Sequence, residues 1–174
     1  MNSKFAMMAL LVGSAFASVA NAADGTINFT GKVTDEACTV NPSSATQTVN
    51  LGSVRTGGFN ASGTTASPTR FSITLTSCPA AAKTAVLKFD GPTSSGNSNY
   101  LALTSGAGVA TGVAIGLFES DSTTLIPVGS ASTTKTLVSG ADTTIQFVAK
   151  YISTAATVVP GTANAVSNFT VSYN

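Results

Sequence analysis

Alternation at a period of two constrains this chain more than any other feature. Residues 71–78, Phe-Ser-Ile-Thr-Leu-Thr-Ser-Cys, exchange apolar and hydroxyl side chains almost position by position. That period belongs to an extended strand with one face buried and one wet, and no window carries the 3.6-residue period of an amphipathic helix. Residues 85–89, 113–119, 144–152 and 169–173 predict further full-length strands, and 47–51 and 125–128 shorter ones. Gly57-Gly58, Gly63, Ser94-Ser95-Gly96-Asn97 and Ser139-Gly140 supply turn or loop material between them. Several short strands at fairly even spacing predict a single all-β domain, a β-sandwich, with no linker and no repeat.

Composition removes whole classes of chemistry. Eight basic residues face seven acidic ones, so no charge bias points to nucleic acid or an anionic membrane as partner. Only 9% of residues are charged, yet 43% are apolar, which is enough to bury a core. Without His, a Ser-His-Asp or Cys-His site and the commonest zinc ligand sets are excluded. A glycosidase-like pair of carboxylates would have to come from Asp35-Glu36 or from Glu119 with Asp121. Both pairs read as solvated turns. No catalytic residue, metal site or cofactor is expected.

The first 22 residues read as a secretory signal peptide: Lys4, an uncharged stretch from Phe5, and a small-residue site Ala20-Asn21-Ala22. Ser14, Ser18 and Asn21 dilute the stretch as a membrane anchor. Cleavage after Ala22 leaves 152 residues and a formally neutral chain. Export to an oxidising compartment predicts that the two cysteines, Cys38 and Cys78, form a disulfide.

The segment behind that site, residues 23–34, alternates again. Gly25, Ile27, Phe29, Gly31 and Val33 share one face, and Thr26, Asn28, Thr30, Lys32 and Thr34 the other. An ordinary N-terminal edge strand has the same pattern. Gly31 within the apolar set packs no side chain, which weakens a strand unless something close needs the space. At the far end, Phe169, Val171 and Tyr173 line one face of the last run.

These residues carry a resemblance. The alternating extension, its continuation through Cys38-Thr39-Val40, the Val49-Asn50-Leu51-Gly52 segment, the 71–78 strand ending in Cys78, Gly161 fourteenth from the end and the penultimate Tyr173 together resemble subunits of chaperone–usher fimbriae, close to type 1 major pilins. The resemblance implies an incomplete immunoglobulin-like β-sandwich over residues 35–174 that lacks its last strand. It implies that residues 23–34 are a donor strand, with Ile27, Phe29, Gly31 and Val33 entering the groove of a neighbour. Gly161, Phe169, Val171 and Tyr173 would form the acceptor edge and the surface recognised by a chaperone. The implied partners are related pilin subunits in a head-to-tail polymer, a periplasmic chaperone and an outer-membrane usher, with the product on the cell surface. Some members fold back to fill their own groove, which predicts pairing of residues 27–33 with the last strand. The alternative role is a minor or tip-associated adhesive subunit that binds a host glycan through Asn97, Asn99 and Tyr100 in a polar loop.

Overall fold

The computed structural model describes Gly25, residues 27–31 and residues 37–174. The chain divides into two units, Met1–Val33 and Thr34–Asn174. The described residues of the larger unit form ten strands in chain order: β1 (Thr39–Val40), β2 (Thr65–Thr76), β3 (Thr84–Asp90), β4 (Thr93–Ser94), β5 (Asn97–Leu101), β6 (Val113–Glu119), β7 (Leu125–Ile126), β8 (Lys135–Thr136), β9 (Thr143–Ser153) and β10 (Asn168–Tyr173). They form two antiparallel sheets. The larger runs β1-β2-β9-β6-β5-β4, with β7 also paired to β6, and the smaller runs β10-β3-β8.

The alternation does what it predicts. Strand β2 pairs with β9 so that Phe71 faces Phe147 and Ile73 faces Ile145, while Ser72 faces Gln146 and Thr74 faces Thr144. The first set points to the core, where Ile73 and Phe147 are fully buried. On the outer face the Thr74 and Thr144 hydroxyls share a hydrogen bond of 3.1 Å. Opposite them, Ala85, Leu87 and Phe89 of β3 supply the second wall of the core. Phe71, Phe89 and Phe147 meet at its centre, with the Phe89 and Phe147 rings edge to face at 5.1 Å.

Strand β6 spans the predicted residues, and β3, β9 and β10 each contain theirs with one or two residues added. The remaining differences have local causes. Strand β2 begins at Thr65, because a bulge between Ala66 and Thr69 absorbs Ser67, at φ 53°, and Pro68, which has no N–H to donate. It ends at Thr76, since Ser77 turns into positive φ. Residues 47–51 form no strand. Side-chain bonds tie the segment instead: Gln47 donates to the carbonyls of Ser44 and Ser72, and the Asn50 carboxamide accepts from Gly52 N–H. Ahead of them a single helical turn, α1 (Pro42–Ala45), is capped by the Asn41 side chain, too short to show any period. The run at 125–128 shortens to Leu125–Ile126, ending before Pro127. Asn97, Asn99 and Tyr100, expected in a loop, lie on β5, because Ser95-Gly96 makes a tight turn that folds them back on β4. Among the described residues no helix is long and apolar enough to cross a membrane.

Candidate functional site: the open edge of the smaller sheet

Strand β10 sits on β3 with Phe169 beside Phe89, Val171 beside Leu87 and Tyr173 beside Ala85. Directly opposed residues share a face, so all six side chains point toward the core. Those of β3 are 3%, 0% and 0% exposed, whereas those of β10 are only half-buried. The difference has one cause: among the described residues no strand pairs with the far side of β10. The half-buried alternation runs back past the strand through Ser167, Ala165 and Ala163, making one long lip. Val40, Val49 and Leu51, at and beyond β1, are likewise half-buried against the same core. An exposed edge of this length with an apolar face is a template for another strand.

One end of the lip is tied across. The Tyr173 hydroxyl donates to the Cys38 carbonyl at 3.2 Å, joining β10 in one sheet to the residue that leads into β1 in the other. Burial pushes the Tyr173 phenol pKa up, so the donor keeps its proton. Cys38 and Cys78 are bonded as expected, with their Cα atoms 4.2 Å apart. Both are buried, and the bridge fixes β1, which holds β2 through only two register pairs, Thr39 with Thr76 and Val40 with Leu75.

Gly161 is placed by its own chain. A Cβ there would lie 2.4 Å from Ala110 N and 2.5 Å from Gly108 O. Two loops cross backbone to backbone at that point, with Ala110 N–H donating to Thr162 O and Thr162 N–H to Gly108 O. Beside the crossing lies a recess of about 390 Å³ lined in part by Phe59, Val113, Tyr151, Val158 and Ala163.

Gly31 behaves in the opposite way, since a Cβ on it would meet nothing within 4 Å. Ile27 and Phe29 are 78% and 91% exposed, and residues 27–31 form no strand. The expected pairing of this segment with the last strand is therefore not formed by its described residues. Val33 lies outside the described residues, as do the signal-peptide segment and Asp35-Glu36.

Glu119 and Asp121 both serve structure. Glu119 is not in a solvated turn. It is buried, accepts from Thr133 N–H at 2.7 Å and pairs with Lys135 Nζ at 2.5 Å. The sequence hid this because residues 113–118 are almost uniformly apolar, so alternation assigned no face to the residue that follows. Asp121 is exposed as expected, and bonds from the Thr124 hydroxyl and the Thr124 and Thr123 N–H groups hold its carboxyl well below the usual carboxylate range. Among the described residues no three His, Cys, Asp or Glu side chains gather to hold a metal.

A family model described as fimbrial protein matches residues 27–174. The chain is 42% identical to a fimbrial subunit type 1 of Salmonella typhimurium, covering 86% of this chain and 82% of that one. It is 38% identical to a type-1 fimbrial protein A chain of Salmonella typhi, over 99% and 97% of the two chains. Its fold matches the crystal structure of the P pilus rod subunit PapA with a TM-score of 0.66 and 25% identity, over 79% and 99%. The immunoglobulin-like pilin fold, the buried cystine and a match that runs through both the exposed segment and the open edge lead to one assignment: the chain belongs to the fimbrial protein family and is a structural pilus subunit.

Proposed function

We propose that this subunit polymerises head to tail, with residues 23–34 of each copy lying along β10 of the copy added before it. The observation that carries this reading is the contrast between buried Leu87 and half-buried Val171 on one face of one sheet, which marks the place of an absent strand. The extension supplies what that place needs, because Ile27 and Phe29 find no burial in their own chain. With Val33 they would bring three apolar side chains, each stabilising by about 1.5–3 kcal/mol when fully buried. Backbone hydrogen bonds along β10 add about 0.5–1.5 kcal/mol apiece, less the entropy of ordering the donor. Each copy has one donor and one acceptor, so the contact is heterologous and does not close, and a filament follows.

Before assembly the same edge would expose the core, so a periplasmic chaperone covers Phe169, Val171 and Tyr173, and an outer-membrane usher exchanges it for the next subunit's extension. The fibre lies on the cell surface and forms the rod rather than carrying chemistry. The reading is tested by substituting Phe29→Asp and examining surface fibres by electron microscopy, alongside unboiled detergent extracts. Loss of fibres and of the detergent-resistant ladder is expected. Normal fibres carrying Asp at that position would overturn the proposal.

A further inference from the structure

We infer that Tyr173 acts as a steric gate at the end of the groove, admitting a very small residue of the incoming strand, Gly25, and barring Ile27 from that place. The inference rests on the head-to-tail reading above and adds to it a residue that selects the donor. Two strands that flank a missing one lie about 9.5 Å apart, twice the ordinary spacing. At its C-terminal end β10 does not leave that gap open. Tyr173 points to the core side of the sheet, as its register with Ala85 requires, and its hydroxyl reaches the Cys38 carbonyl at 3.2 Å. The ring therefore lies beneath any strand laid between β10 and the β1 segment, in the space a core-facing side chain of that strand would take.

Nothing comparable spans the rest of the lip. Toward the other end it continues through the small residues Ser167, Ala165 and Ala163. A donor with Gly25, Ile27, Phe29 and Gly31 on its inward face, laid antiparallel to β10, brings its first glycine to the clasped end. Gly25 lies over Tyr173, Ile27 over Val171, Phe29 at Phe169 and Gly31 beside Ser167. Sliding the donor by two residues would put Ile27 over Tyr173, and the clasp forbids it. Within its own chain Gly25 has open space around it, so nothing local requires a glycine there. Tyr173 is in this sense a positioning residue. It costs the polymer one side-chain contact and in return excludes the shifted pairing that would set Ile27 at the end of the groove.

The test uses the mature chain, refolded in an excess of a synthetic peptide of residues 23–34 that caps the acceptor, with capped monomer measured by size exclusion and unboiled gels. The natural peptide should cap the natural chain. A Gly25→Ile peptide should cap it at least tenfold less well and should recover most of that loss on a Tyr173→Ala chain. A Tyr173→Phe chain, which keeps the ring and loses the clasp to Cys38, should recover it only in part, and serves if the Ala variant does not fold. If the Gly25→Ile peptide caps the natural chain as well as the natural peptide does, or gains nothing on either variant, the gate does not exist. If no peptide caps any chain, the donor reading itself fails and the gate with it.

Discussion

Two glycines of similar standing in the sequence have opposite physical reasons. At Gly161 a Cβ would meet backbone atoms at 2.4–2.6 Å, and backbone cannot swing aside as a flexible side chain can. Gly161→Ala should therefore destabilise the domain by about 1–3 kcal/mol, read as a lower urea midpoint. Gly31→Ala meets nothing in its own chain. It should leave the urea midpoint of the chaperone-held subunit unchanged while reducing fibre yield, if the close neighbour belongs to another molecule as proposed. A glycine is legible in a sequence, but not which molecule it accommodates. Glu119 makes the same point for charge: it reads as a surface acid, and only the fold brings Lys135 to it from another strand. Lys135→Met should cost about 1–3 kcal/mol by leaving that buried carboxylate with one fewer donor, again measured by denaturant unfolding.

At the scale of elements, what was readable followed from burial on one face. Strands β2, β3, β9 and β10 were visible because each divides its residues between core and solvent, and a period of two records that division. The segment 47–51 carries Val49 and Leu51 at the same period and also packs on the core, yet it forms no ladder. Side-chain bonds from Gln47 and Asn50 tie it down, and alternation reports burial rather than pairing. Strand β1 has two residues and two register pairs, too little to hold the lip of a groove by hydrogen bonds alone. The cystine does that work. Its loop of 40 residues gives about 4 kcal/mol in the chain-entropy model. Replacing both cysteines by Ala should lower stability by up to about that amount. Amide exchange should rise first in β1 and at the end of β2, where the bridge is the chief tie, and uniform exchange across both sheets would argue against this localisation.

The whole molecule is organised around a deficit in one place and a surplus in another. The domain presents a half-buried lip along 163–173, and the N-terminal segment presents Ile27 and Phe29 to solvent. A self-sufficient sandwich would use its first strand to complete its own core, and removing that strand would unfold it. Here the described part of the segment contributes no strand to either sheet. The mature chain lacking residues 23–34 should therefore retain its β circular dichroism and its cystine when held by a chaperone. It should also be unable to extend a fibre at its donor end while still accepting a strand at β10. Mixed with intact subunits, it should be found only at the first-laid end of fibres and never within them, as a tag on the truncated chain would show by electron microscopy. An unfolded truncated chain would return the segment to the domain's own core. A truncated chain that polymerises would remove residues 23–34 from the contact altogether. Confinement of a folded truncated chain to one end of the fibre is the result that follows only if the strand completing each domain comes from its neighbour.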